Sequence, residues 1–383
     1  MKIQLLNKIA PVGLEQLGAG YEVGEEITDP DGILVRSAVM HEMPLGENLK
    51  AIARAGAGVN NIPIDRCSAA GIAVFNTPGA NANGVKELAV CALLLAARDV
   101  VGGIEWAKGL AAPDVAKQVE KGKSAFAGTE LTGKTLGVIG LGAIGGLIAN
   151  TALALGMKVI GCDPFLSVEG AWNLDHRVTR AATFDEIFAA ADYITLHVPA
   201  TKDTKGMISA GSLAKMKDGV RIVNLARADL CAAADLRAAL ESGKVAKYVT
   251  DFPTDEMMGA KNAILIPHLG ASTEESENNC AVMAAQELDD YLKNGNIRNS
   301  VNYPNVEQPR TGEARICVLH ANIPAVISGI TAALAADSVN IENMTNKSKG
   351  DNAYTILDVT PVPGADASAH IRAIPGVNRV RVL

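Results

Sequence analysis

Four short apolar runs bounded by turn residues open the chain, and residues 2–6, 32–37, 49–53 and 73–76 are predicted as strands. From 85 to 108 the apolar positions recur at helical spacing and predict one long helix. Residues 111–128 are polar and lysine-rich and read as a crossing between domains. After Gly133 the pattern becomes a regular alternation. Strands are expected at 135–139, 158–162, 193–197, 221–225, 246–250 and 263–266, with helical stretches between most of them. That order predicts an α/β fold with a doubly wound parallel sheet of the Rossmann type. An amphipathic helix follows at 273–293, and the aperiodic stretch 294–312 reads as a linker. The remainder alternates strand 315–320, helix 325–336, strands 339–347 and 353–359, helix 367–373 and strand 377–383. This βαββαβ order describes a small ferredoxin-like α+β module.

Composition agrees with several packed cores. The chain has 383 residues, 48% of them hydrophobic but only 4% aromatic, so its cores are built mainly from Ala, Val, Ile and Leu. A formal net charge of −7 excludes a broad basic face for nucleic acid, so an anionic ligand must be held by a few placed arginines. The six cysteines show no metal-ligand or disulfide spacing, and neither a metal site nor a disulfide framework is expected. The longest apolar stretch, 88–97, is about half of what a membrane span needs. The N-terminus reads as a strand and not as a signal peptide, so a cytoplasmic protein is expected.

One segment carries specific chemistry. The strand at 135–139 runs into Gly140-Leu141-Gly142-Ala143-Ile144-Gly145 before a helix. Gly140 permits a tight turn, Gly142 admits backbone amides to a pyrophosphate, and Gly145 allows close helix–strand packing. Ala143 and Ile144 begin the helix, whose N-terminus attracts negative charge. A lone G-x-G-x-x-G is weak evidence, but here a second strand ends at Asp163, eighteen residues past Gly145. A carboxylate there accepts from a ribose diol and repels a 2′-phosphate, which predicts NAD over NADP.

The run from Gly128 to Gly142, with Leu196-His197-Val198-Pro199, Val223-Asn224-Leu225-Ala226-Arg227 and Pro267-His268-Leu269-Gly270, resembles the D-isomer-specific 2-hydroxyacid dehydrogenase family. Within it, Arg54-Ala55-Gly56-Ala57-Gly58-Val59-Asn60-Asn61 and Phe75-Asn76-Thr77-Pro78-Gly79 are similar to members acting on 3-phosphoglycerate. The C-terminal module resembles an ACT regulatory domain. The resemblance implies a discontinuous, flavodoxin-like substrate-binding domain at 1–90 and 270–300. An NAD-binding domain at 91–269, a linker at 301–313 and an ACT domain at 314–383 complete the expected organisation.

It also implies roles. His268, past a strand end, is the expected general base, and Arg227 the expected substrate anchor, although the family's usual Arg-Gly is Arg227-Ala228 here. The acid that orients His268 is expected at Glu256, twenty-nine residues after Arg227, or at Asp255 if one residue is deleted. Further cofactor contacts are expected from His197, Val198, Pro199, Leu225, Ala226, Asp251 and Gly270. For the substrate, Arg36 with Ser37 and Arg54 could clamp a phosphate, while Gly58 and Val59 amides hold a carboxylate. His320, Asn322 and Asn340 resemble positions that bind a small amino acid such as serine, and a module serving only assembly weighs equally. Ala325 stands where the family commonly has Gly. A homodimer or homotetramer is expected. The competing readings are a dehydrogenase for a phosphate-free D-2-hydroxy acid, and a dinucleotide-sensing protein without chemistry.

Overall fold

The computed structural model describes all 383 residues. Sixteen strands form three sheets: β1 (Lys2–Leu5), β2 (Glu22–Gly24), β3 (Gly32–Val35), β4 (Ala51–Arg54), β5 (Ala73–Phe75), β6 (Thr135–Ile139), β7 (Lys158–Cys162), β8 (Thr179–Arg180), β9 (Tyr193–Leu196), β10 (Val220–Asn224), β11 (Val245–Thr250), β12 (Ala263–Leu265), β13 (Ala314–Ala321), β14 (Asn340–Lys349), β15 (Asn352–Thr360) and β16 (Val377–Val382). The chain divides into two compact units, Met1–Asn81 with Glu277–Leu383, and Ala82–Ser276.

The second unit is a seven-stranded parallel sheet in the order β12-β11-β10-β9-β6-β7-β8. Its central strands β6, β9 and β10 are almost wholly buried, as expected where helices cover both faces. The helix Ala143–Ala154 packs there through Ile148, Ala149 and Ala152, and the helix Ala82–Ala97 through Ala89, Ala92 and Leu93. The single helix expected at 85–108 is two, Ala82–Ala97 and Val100–Lys108. Asp99, with φ −79° and ψ 59°, breaks it. The polar stretch 111–128 holds a further helix, Val115–Gly122, and a 3-10 turn.

The first unit contains a five-stranded parallel sheet, β2-β1-β3-β4-β5, and a four-stranded antiparallel sheet, β14-β15-β13-β16. The two share one core: Cys317, Leu319, Tyr354 and Ile356 of the small sheet pack with Tyr291 and Leu288 of the helix Glu274–Asn294 and with Phe75. The opposite face of the small sheet is covered by the helices Val326–Ala336 and Ala365–Arg372. The stretch expected as a linker is packed instead. Asn302 accepts from Val74 N (2.9 Å) and donates to Ile72 O (2.9 Å), while Tyr303 donates to Ser68 O (3.0 Å).

Two positions generate stability predictions. Ala325, the N-cap of the helix Val326–Ala336, sits at φ 71°, a conformation that strains a β-carbon. Ala325→Gly is expected to stabilise the protein by about 0.5–1 kcal/mol, read as a higher urea midpoint; an unchanged or lower midpoint contradicts this. Glu287 is buried, with one oxygen accepting from Asn299 Nδ2 (2.6 Å) and Oε2 unpartnered. Burial pushes its pKa up to about 7, opposed by Asn299 and by the charge of Arg298. The folded state therefore holds a proton that the unfolded chain releases above its ordinary range. This contribution to stability is complete below the ordinary carboxyl pKa and is lost as pH rises through about 7. Glu287→Gln removes that titration, so its stability relative to wild type should improve by about 1–3 kcal/mol between pH 5 and pH 8. Parallel wild-type and variant curves of Tm against pH would refute it.

Candidate functional site

Because every strand of the seven-stranded sheet runs the same way, the segments leaving β6, β7, β9, β10, β11 and β12 all emerge at one edge. The turn after β6 is shaped by glycine. Gly140 has φ 89°, and a β-carbon on it would lie 2.5 Å from the carbonyl oxygen of His197. A β-carbon on Gly145 would lie 1.9 Å from Gly140 O. Gly142 is different, with φ −67° and nothing within 4 Å of where its β-carbon would be. The fold itself does not demand glycine there. Open access to the backbone at the N-cap of the helix Ala143–Ala154 suits a pyrophosphate, with Ala143 and Ile144 supplying the first helical amides.

Asp163 leaves the end of β7 beside this turn. Its Oδ2 accepts from Leu141 N (2.9 Å) and its Oδ1 from Phe165 N (2.8 Å), which fixes the carboxylate and leaves lone pairs for a ribose diol. His197, Val198 and Pro199 follow β9. The His197 ring meets Thr195 Oγ1 (2.7 Å), and burial pushes its pKa down to about 3, so it is neutral at physiological pH. Asp251, after β11, is 1% exposed. Its Oδ2 accepts from Gly270 N (2.9 Å), while Oδ1 is buried without a partner. Burial raises its pKa, opposed by the Gly270 amide and the charges of His268 and Arg227. An orphaned acceptor beside Gly270 fits a carboxamide donor, so the residues present fit NAD.

Arg227 is held by the residue that ends β10. The buried Asn224 side chain accepts from Ala226 N (3.1 Å) and Arg227 N (3.3 Å) and donates to Arg227 O (2.9 Å). The guanidinium donates to Ala226 O (2.6 Å) and lies over the ring of Phe252, 5.8 Å from its centroid. The His268 ring lies 4.5 Å from the same phenyl ring, tilted by 45°. The structure thus brings Arg227, Asp251 and His268 together around Phe252.

It does not bring Glu256 to His268. Glu256 lies in the exposed 3-10 turn Asp255–Met257, where its own backbone amide holds its carboxyl below the ordinary range. Arg237 donates to Glu256 O (2.6 Å), and Met257 is buried beneath the turn. Neither Glu256 nor Asp255 hydrogen-bonds the His268 ring. The aromatic partner Phe252 was not expected from the sequence; a bulky ring directly after a strand-end acid was the available signal.

In the first unit, Arg54 Nε donates to Arg36 O (3.0 Å), and its guanidinium lies against the Gly56–Gly58 loop. Arg36 pairs with Glu277 (2.6 Å). Asn7 Oδ1 accepts from the amides of Arg36, Ser37 and Ala38. Thr77 Oγ1 accepts from Gly56 N (2.8 Å) and so anchors the loop that carries Gly58 and Val59. In the small sheet both ring nitrogens of His320 are engaged, with Ala321 O (2.8 Å) and Thr355 Oγ1 (2.9 Å). Asn322 donates to Gly350 O (3.0 Å) and Asn340 to Glu342 (2.9 Å).

The open space at Gly142 generates a prediction. Gly142→Ala should leave Tm nearly unchanged yet weaken NAD binding on the order of tenfold, because the methyl group occupies only ligand space. Calorimetric titration reads this, and unchanged affinity would remove the pyrophosphate from this turn.

Comparison with known proteins agrees with these features. The family described as "D-isomer specific 2-hydroxyacid dehydrogenase, NAD binding domain" matches residues 94–270. A D-3-phosphoglycerate dehydrogenase of Archaeoglobus fulgidus is 37% identical over 299 residues, covering 75% of this chain and 54% of the relative. The chain thus spans about half the length of the first curated relatives it matches. D-3-phosphoglycerate dehydrogenase 1 of Saccharomyces cerevisiae is 30% identical over 375 residues, covering 90% of this chain and 76% of the relative. Among solved structures, the NAD+-bound 3-phosphoglycerate dehydrogenase of Entamoeba histolytica aligns with a TM-score of 0.62 at 29% identity, covering 79% of this chain and 98% of that one. Apo D-mandelate dehydrogenase of Rhodotorula graminis aligns with a TM-score of 0.68 at 25% identity, covering 81% and 99%. The chain belongs to the D-isomer-specific 2-hydroxyacid dehydrogenase family, with the family's NAD-binding domain at its centre.

Proposed function

We propose that the protein oxidises the C2 hydroxyl of 3-phospho-D-glycerate to 3-phosphohydroxypyruvate with NAD, the entry step of serine biosynthesis. The observation that carries this reading is the convergence of Arg227, Asp251 and His268 at one sheet edge, beside a turn suited to a dinucleotide. The names of the relatives support the substrate.

In this reading the Arg227 fork pairs with the substrate carboxylate and the keto oxygen that forms. His268 takes the hydroxyl proton and returns it in the reverse direction. Bound NAD supplies the acceptor for the hydride that leaves C2. The unpartnered Asp251 oxygen would accept from the carboxamide of bound NAD and help to hold it. Phosphate recognition is assigned to Arg54. Arg36 contributes only if Glu277 yields it, since the two are paired. That pairing is also the observation that favours a second reading, a phosphate-free D-2-hydroxy acid as substrate.

Finer assignments follow the same reading. The module at 314–383 is proposed as an ACT domain responding to serine. Asn322 and Asn340 lie at opposite ends of the small sheet, so a serine contacting both would sit between two such modules. Copies are proposed to associate as a dimer or tetramer through the second unit. Its helices Val100–Lys108 and Val115–Gly122 bury no residue of their own, yet expose Val100, Val101, Ile104 and Val115. No helix is long and apolar enough to cross a membrane, and a cytoplasmic location is proposed.

NADH absorbance with 3-phosphoglycerate, and with 3-phosphohydroxypyruvate in reverse, tests the function. His268→Asn should lower kcat by about 10²–10⁴, and Arg227→Gln should lower kcat/KM by at least a comparable factor. Arg54→Ala should raise KM for the phosphorylated acid without weakening NAD. Equal use of unphosphorylated glycerate by the wild type would move the assignment to the second reading.

A further inference from the structure

We propose that Phe252 is a positioning residue that sets Arg227 and His268 jointly; this rests on the dehydrogenase reading above. The ring contacts both groups, with its centroid 4.5 Å from that of the imidazole and 5.8 Å from the guanidinium carbon. A phenyl face attracts a guanidinium through its quadrupole, and a tilted imidazole packs on it with a defined orientation.

The backbone around Phe252 is tied to the backbone around Arg227. Thr250 Oγ1 accepts from Phe252 N (3.1 Å) and donates to Asn224 O (2.8 Å). The Asn224 side chain in turn closes the Ala226–Arg227 turn. Thr250 and Asn224 are both fully buried, so this frame has no water to exchange with. One hydrogen-bonded frame therefore carries the aromatic wedge and the substrate anchor together. His268, whose ring has no hydrogen bond within the chain, takes its orientation from the wedge. Tilting the ring would displace proton acceptor and anchor at once, so kcat and KM are coupled through a residue that performs no chemistry.

The test compares Phe252→Leu, similar in bulk but without an aromatic face, with Phe252→Tyr. The Leu variant should lose on the order of tenfold in kcat and raise KM for the hydroxy acid several-fold, a cost typical of sub-ångström misplacement. Its NAD affinity should stay within about twofold of wild type, and the Tyr variant should recover most of both constants. A second readout is independent of turnover: the His268 ring-proton resonance, assigned with His268→Asn, should be shifted upfield by the phenyl ring current. The Leu variant should lose that shift and the Tyr variant keep it. A Leu variant with wild-type kcat and KM overturns the proposal, and so do Leu and Tyr variants that fail alike. A wild type that turns over no hydroxy acid defeats the dehydrogenase reading instead, while the resonance still reports the ring contact.

Discussion

The first turn of the helix Ala143–Ala154 rests on the carbonyl of Gly140 with no room for a side-chain carbon between them. That contact brings the amide-rich end of a helix onto the end of a central strand, and the rest of the site follows. Gly140 in turn presses on the carbonyl of His197, which locks the exit of β9 against the exit of β6. Asp163 binds the amide of Leu141 and so joins the exit of β7 to the same turn. With seven strands parallel, side chains from distant parts of the chain have one edge at which to meet. The chemistry is assembled there by backbone contact, before any ligand is considered.

How much of this was legible depends on which residues carry a pattern. Strands β6 and β7 declare themselves because, after Thr135 and the exposed Lys158, their residues are mostly buried and carry no charge. The short outer strands β2 and β8 are exposed or nearly so, and without burial they leave no apolar signature. The break at Asp99 was hidden because Val100, Val101 and Ile104 continue the helical spacing while pointing to solvent. Arg227 and His268 were legible from their places after strands. Glu256 was placed by counting, and counting ignores the turn between. Burial of Met257 and the Arg237 bond to the Glu256 carbonyl direct that turn, and both depend on residues distant in sequence.

The C-terminal module shows a different limit. Its strand and helix order was readable, but its attachment was not, because buried polar residues add to the shared apolar core. Arg315 and Asp358 form a fully buried pair, closed by Nε to Oδ1 (2.7 Å) and Nη2 to Oδ2 (2.9 Å). The remaining capacity of the pair binds Asn294 O, Gln308 and Thr311. A buried ion pair costs desolvation that only complete hydrogen bonding offsets, so these partners in the connecting segment are part of the pair. Arg379 donates to Glu47 O and Leu49 O, and Arg381 to Tyr291 O and Leu292 O. The last strand is thereby fastened to the segment entering β4 and to the end of the helix Glu274–Asn294. A stretch of Asn, Pro and Gly that reads as a linker is held in place because Arg315 takes the carbonyls of Asn294 and Gln308, and Lys349, Asn352 and Tyr354 take those of Ser300, Asn302 and Gly295.

An acidic chain has no bulk positive field, and its placed arginines are held by the protein itself. Arg54 is tied to the carbonyl of Arg36, Arg36 to Glu277, and Arg227 to the carbonyl of Ala226. Each gives up part of its hydrogen-bonding capacity to the protein, and with it the rotamer freedom that binding would otherwise have to quench. A planar guanidinium keeps further N–H donors after such a bond, whereas an ammonium would have lost its direction. The same logic applies to the aromatic ring that stands beside His268. A phenyl face gives the His268 ring a fixed neighbour without adding charge beside Asp251 and Arg227.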